Sequence, residues 1–266
     1  MKRRYLKILR MLLLIAVVVV VIVANVSHRN SVIKDVVVVV DYVGNDTLVS
    51  ANQLKAEIMN KHRDITTQSV GETNLEDINA VVKSNPYVDE TNVSITVSSE
   101  ILVRVTQRTP LVRIFTSKSQ FYLDTKGRYM PISNVNNQRV IIANGYIKKD
   151  FSCKPQELDI NAMVAKNPKA EKCDIVKIYR LAKFMESDKK THTLFDQIYM
   201  NDNGDLEIVP KLGNHVVLLG NLDNLDVKFE NLYALYEKGF SKTGWDKYSY
   251  VNLKFNDQII CTKKQQ

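Results

Sequence analysis

The sequence predicts the α+β class: an N-terminal transmembrane helix, a small unit in the order β-α-α-β-β, then a mixed α+β C-terminal domain with a largely antiparallel sheet. Three observations carry this reading. One charge-free run, Met11 to Ser27, stands near the N-terminus; valine-rich and alternating segments dominate after it; and 45% apolar with 25% charged residues is an ordinary globular composition. Wholesale disorder, collagen and a polytopic membrane protein are excluded.

The 17-residue run is built around Leu12, Leu13, Leu14, Ile15 and the valines Val17 to Val21. At 1.5 Å per residue it covers most of a hydrocarbon core of about 30 Å, with the stems of Lys7 and Arg10 reaching the headgroups. Lys2, Arg3, Arg4, Lys7 and Arg10 precede it without an acid, whereas Arg29, Lys34 and Asp35 follow. That asymmetry orients the N-terminus to the cytoplasm and leaves the bulk of the chain outside. A cleaved signal peptide is the competing reading. Ala24 is the only reasonable residue at its cleavage site, and Ile22 fits poorly two positions earlier. An uncleaved anchor is therefore expected.

The same basic cluster accounts for most of the net charge of +8 and the pI near 9.2. With Lys263 and Lys264 also set aside, the residues between carry only +1. The high pI therefore gives no argument for nucleic acid.

Ile33 to Tyr42, with five consecutive valines, reads as a buried or well-paired strand ended by Gly44, Asn45 and Asp46. Ser50 with Gln53 opens a helix to about Asn60 that carries Leu54 and Ile58 on one face. Asn74 with Asp77 caps a second helix through Leu75, Ile78, Val81 and Val82, stopped at Asn85-Pro86. Val93, Ile95 and Val97 alternate with polar residues, as do Ile101, Val103 and Val105, which predicts a hairpin. Ser27 to Lys34 reads as a short stalk ahead of this unit.

Beyond Pro110, strands are expected over 111–115, 120–123, 129–132 and 140–143, the last ended by Asn144 and Gly145. A short helix falls near 157–165 and a clearer amphipathic one over 174–187. Strands 197–200 and 206–209 flank Asn203-Gly204, the strongest hairpin signal in the chain, and 216–219 is a further strand. A helix over 225–238 precedes the last strand, 248–255, with Val251, Leu253 and Phe255 on one face; residues 258–262 read as its extension.

The chain holds little that resembles catalysis. Ser31 with Lys34, Ser50 with Asn52, and Lys242-Thr243-Gly244 match the three signatures of penicillin-binding transpeptidases in order. Their context is wrong, because the nucleophile must open a packed helix deep in a catalytic domain. His28, His62, His192 and His215 are dispersed and read as surface or loop residues; Asp202 to Asp205 fits a hairpin turn better than a calcium loop. No phosphate-binding glycine loop occurs, and no cofactor or small-molecule substrate is expected. Cys153, Cys173 and Cys261 form no C-x-x-C pair; Cys153 and Cys173 either pair in an oxidising compartment or stay reduced and partly buried.

With these elements in place the chain resembles the FtsQ/DivIB family of bacterial cell-division proteins. The first exported unit looks like a POTRA domain through Ser50, Leu54, Asn85-Pro86-Tyr87-Val88, Val93, Ile95, Val103, Val105, Arg108 and Pro110, with Gln107 where the family usually has glutamate. Leu123-Asp124 with Gly127 resembles its L-D-x-x-G hairpin, and Val140 to Gly145 its L-P-x-L-x-G strand without the proline. Tyr250-Val251-Asn252-Leu253-Lys254-Phe255 resembles its Y-x-D-L-R-aromatic strand.

The resemblance implies a tail at 1–10, a transmembrane helix at 11–27, POTRA with its stalk at 28–110, an FtsQ-type domain at 111–262 and a tail at 263–266. It implies a non-enzymatic divisome scaffold of the cytoplasmic membrane, concentrated at the septum. The scaffold would link early and late division proteins, coordinate septal peptidoglycan synthesis and bind FtsB/FtsL-like coiled-coil proteins through the C-terminal domain. Tyr250, Asn252, Lys254, Phe255, Asn256, Asp257 and Gln258 would lie at that contact, with Phe255 either a hot spot or a filler of the core. A membrane-anchored envelope enzyme and another POTRA-containing envelope factor are the alternatives.

Overall fold

The apolar run folds as part of one continuous helix, α1 (Lys2–Arg29). Its residues from Arg10 to Arg29 are long and apolar enough to cross a membrane, and their side chains are exposed along that length except for the half-buried His28. The computed structural model describes residues 2–42, 47–133, 139–148, 157–255 and 258–264, and it divides into two units, Met1–Arg108 and Thr109–Gln266. The Gly44-Asn45-Asp46 turn and Cys153 lie outside the described residues.

In the first unit, β1 (Val36–Asp41), α2 (Ala51–Lys61), α3 (Leu75–Lys83), β2 (Val88–Ile95) and β3 (Ile101–Gln107) follow in the expected order. The caps act as the sequence implies. Ser50 accepts from the amide of Gln53, and Asn74 from those of Glu76 and Asp77, so amides left over at each helix start are satisfied. Leu54 and Ile58 of α2 and Ile78 and Val82 of α3 are buried against Val36, Ile101, Val103 and Val105. β3 lies in the middle of the three-stranded sheet, parallel to β1 and antiparallel to β2.

Gln107 is 3% exposed, and its Oε1 accepts from the amides of Leu48 at 2.7 Å and Val49 at 3.2 Å, ahead of α2. A neutral amide serves this buried acceptor position without the desolvation that a carboxylate would suffer.

Two expectations fail here. Val97 is not a strand residue: β2 ends at Ile95, and Val97 stands 95% exposed in the turn to β3. Nor do residues 27–34 stand apart as a short stalk. Helix α1 runs to Arg29, and the next residues bond to the body of the unit, with Ile33 donating to Gln68 O and Lys34 to Ser99 O.

The second unit is a nine-stranded mixed sheet with five antiparallel and three parallel neighbour pairs. Its strands are β4 (Pro110–Phe115), β5 (Gln120–Asp124), β6 (Tyr129–Met130), β7 (Ile141–Gly145), β8 (Phe195–Met200), β9 (Leu206–Pro210), β10 (Val216–Gly220), β11 (Tyr248–Asn252) and β12 (Ile260–Lys263). They lie in the order β12-β11-β10-β9-β8-β7-β4-β5-β6. Helices α4 (Ile160–Lys166), α5 (Asp174–Ser187), α6 (Lys189–Leu194) and α7 (Leu225–Leu235) join them, and α5 buries Ile175, Ile178, Leu181, Ala182 and Met185 in the core.

Several boundaries differ from expectation. Asn144 and Gly145 do not follow the strand but form its last two residues, pairing with Tyr199 and Met200 of β8; Gly145, at φ +104, lies so close to Met200 that a Cβ would fall 2.2 Å from its carbonyl oxygen. Helix α6, too short for a clear periodicity, was not expected. The helix over 225–238 stops at Leu235 and continues as a π-turn over Tyr236–Phe240. His215 is a core residue at 2% exposure. The largest difference is at the C-terminus. Residues 260–263 do not prolong β11; they turn back and pair antiparallel to it.

Candidate partner interface

The candidate site is the β12 end of the large sheet. β11 lies between β10 and β12, so the last expected strand is not an edge. The edge is β12, where Ile260, Thr262 and Lys263 are exposed while Cys261 packs against the core. Among the described residues no strand pairs with its outer side. An open edge of this kind offers main-chain amides and carbonyls to a further strand.

Segment 253–255 leaves β11 beside this edge and is held from three directions. Leu253 donates its amide to Leu218 O at 2.9 Å, the Asn252 Oδ1 accepts from the Lys254 amide at 2.9 Å, and Lys254 Nζ reaches Asp205 Oδ2 at 2.7 Å. The stem of Lys254 crosses Gly220, whose φ of +75 and missing side chain make room for it; a Cβ there would lie 2.7 Å from Lys254 Cγ. Leu253 is buried and Phe255 is 48% exposed, so Phe255 does not fill the core.

The remaining expected residues divide clearly. The Tyr250 hydroxyl donates to Glu207 Oε1 at 2.7 Å, and burial, followed by this bond to an acid, pushes its pKa up. It stays protonated as a donor. Gln258 is exposed, and Asn256 and Asp257 lie outside the described residues. Tyr250, Asn252 and Lys254 are thus committed within the chain, leaving Phe255 and Gln258 turned to solvent. Of the residues expected to orient a membrane segment, Lys2, Arg3, Arg4 and Lys7 fall in the first turns of α1, and Arg10 is exposed at the start of its apolar span.

Sequence reading missed Ile260 to Lys263 as the edge and Asp205 with Glu207 as the anchors. A local signal for a turn was present, but not for the side on which the following run would pair. The polar pair Asn256-Asp257 between two apolar runs is turn chemistry. Nothing in the sequence indicated that Asp205 and Glu207, about fifty residues earlier, meet Lys254 and Tyr250.

Behind the edge lies an aromatic cluster. The His215 ring meets Tyr236, Phe240 and Trp245 with centroids 5.2 to 6.4 Å apart, and Tyr248 of β11 stacks on Phe240 at 5.1 Å. His215 Nε2 shares a 2.7 Å hydrogen bond with the Tyr236 hydroxyl, and Nδ1 is buried without a partner. Burial first, then the charge of Lys264, hold the histidine below its ordinary pKa.

The transpeptidase-like residues have other tasks: Ser31 bonds to His28 O and Ser99, Ser50 caps α2, and Gly244 sits at φ +91 beyond a three-residue helix. Among the described residues, no group of three or more His, Cys, Asp or Glu could hold a metal.

Fold and site together define a protein with an N-terminal apolar helix and two α+β units, the second of which has, among the described residues, an open sheet edge. The sequence profile of the family described as FtsQ/DivIB, C-terminal related matches residues 109–262, more than half of the chain, and the chain belongs to that family. This is a family of cell-division proteins, generally non-enzymatic and acting with protein partners. No curated protein matches the chain closely enough to add a relative.

Proposed function

We propose that the chain is a non-enzymatic scaffold of the divisome, anchored by residues 11–27 with 1–10 in the cytoplasm and the bulk of the chain outside. In this reading residues 28–110 are a POTRA domain that receives an early division protein. Residues 111–262 bind FtsB/FtsL-like coiled-coil proteins, so that septal peptidoglycan synthesis is coordinated at midcell. The observation that carries it is the open edge at β12, flanked by the exposed side chains of Phe255 and Ile260. A partner strand added there would gain affinity from main-chain bonds and specificity from alternate side chains.

Co-purification of the full-length chain with coiled-coil membrane proteins of the divisome tests the reading. Ile260→Lys, at an exposed position, should lower recovery of those partners about tenfold, equivalent to about 1.4 kcal/mol, with an unchanged melting temperature. Undiminished recovery would remove β12 from the interface.

A further inference from the structure

Among the described residues the most exposed large apolar side chain outside α1 is Val97, and its position relative to that helix is defined within the first unit. The span Arg10–Arg29 is 20 residues, about 30 Å of helix, which sets Arg29 at the outer boundary of a bilayer. Two residues on, the Ser31 hydroxyl donates to His28 O at 2.6 Å and lies 2.6 Å from the Ser99 hydroxyl. Lys34 adds a main-chain bond to Ser99 O at 2.9 Å. On the other side of the helix end, Gly71 donates to Arg29 O and Val70 to Ser31 O, both at 2.9 Å. The β2–β3 turn is therefore tied directly to the point where α1 would leave the membrane.

The turn is also stiff. Thr96 donates to Glu100 O at 2.9 Å, Ser99 to Thr96 O at 3.0 Å, and Glu100 to Thr96 Oγ1 at 3.1 Å, while the Ser98 hydroxyl donates to Glu100 Oε2 at 2.9 Å. Ser99 adopts φ +64, a left-handed conformation that usually calls for glycine in such turns, and is 4% exposed. Its hydroxyl contact with Ser31 explains a serine there. Beside the turn Val32 is 49% exposed, and Arg29 and Lys34 are exposed cations suited to anionic headgroups.

We propose that the β2–β3 turn is a membrane-contacting tip: Val97 rests among the headgroups of the outer leaflet and, with α1, sets the tilt of the first exported unit on the bilayer. This rests on reading α1 as membrane-spanning. An apolar residue at a rigid turn beside an emerging helix fits an interface where apolar side chains gain from partial burial.

The test uses the full chain with Cys153, Cys173 and Cys261 changed to serine, carrying Val97→Cys labelled with an environment-sensitive fluorophore. The probe membrane is a vesicle of phosphatidylethanolamine and phosphatidylglycerol with a shallow nitroxide lipid. Lys83→Cys is the reference, an exposed site at the end of α3, ahead of the end of β2 that lies away from the turn. The label at 97 should be quenched at least twofold more than that at 83, and Ser31→Ala with Ser99→Ala should reduce the difference. Equal quenching in a chain that floats with the vesicles overturns the proposal alone. A chain that does not float overturns the spanning reading and the proposal with it.

Discussion

At one end of the nine-stranded sheet the edge strand β6 is two residues long, and its Tyr129 donates outward to Leu158 O at 2.9 Å. At the other end β12 is four residues long, and among the described residues nothing pairs beyond it. The first end is closed by the chain itself. Ile160 donates to Gly127 O, Asn161 to Lys126 O and the Tyr179 hydroxyl to Thr125 O, so the turn before β6 is clasped by α4 and α5. Gly127, at φ +79, is pressed so closely that a Cβ would lie 3.0 Å from Ile160 and 3.1 Å from Tyr179. Exposed sheet edges invite association, and proteins normally cover them. That the chain covers one end while, among the described residues, the other stays open is the strongest structural reason to seek a partner at β12.

The largest effect of a single substitution is expected at the closed end. Asp124 is 1% exposed, and its carboxylate accepts from the amides of Lys126 and Arg128 and from the Arg128 guanidinium at 2.8 Å. Asp124→Ala leaves these donors without their acceptor and should cost about 3 kcal/mol, lowering the melting temperature by roughly 10 °C, with partner recovery unchanged at temperatures where the domain is folded. A loss below about 0.5 kcal/mol in a thermal melt would mean that the clasp does not hold this end.

A smaller, pH-dependent effect is expected behind the open end. Burial holds the His215 pKa below the ordinary value of 6.5, whereas the unfolded chain takes up a proton there as pH falls through 6.5. The histidine therefore contributes stability above that pH and loses it as the medium is acidified toward the folded pKa, by at most about 1.4 kcal/mol per pH unit. Denaturant melts at pH 7.5 and 5.5 should show the decline, and His215→Gln should flatten it. An equal slope in the variant would assign the acid sensitivity elsewhere.

The smallest stability effect belongs to Phe255. Removing a half-exposed ring with Phe255→Ala should change unfolding free energy by less than about 0.5 kcal/mol while reducing partner recovery several-fold. Lys254→Glu differs, because it sets a second acid beside Asp205 and should cost roughly 0.5 to 1 kcal/mol in the free protein. Partner recovery that falls with Lys254→Glu but not with Phe255→Ala would shift the contact from the exposed ring to the anchored segment.

The two ends were not equally legible. At the closed end Leu123-Asp124 with Gly127 is a local signal, because an aspartate that accepts turn amides and a glycine at positive φ act within five residues. At the open end, the residues that matter meet across long separations. The strand 248–252 was readable, but that β12 folds back on its outer side was not, since one apolar run can prolong a strand or return beside it according to the turn between.

By itself the sequence determined what depends on near neighbours: the apolar span, the caps at Ser50 and Asn74, the helix 174–187 and most strands. Tertiary structure alone decided the strand order, the burial of His215, the anchoring of Lys254 on Asp205 and the tie between Ser31 and Ser99. Periodicity and capping are written in residues a few positions apart, where the backbone imposes the geometry. Which edge of a sheet stays open depends on how distant segments share one core, and no local pattern encodes that choice.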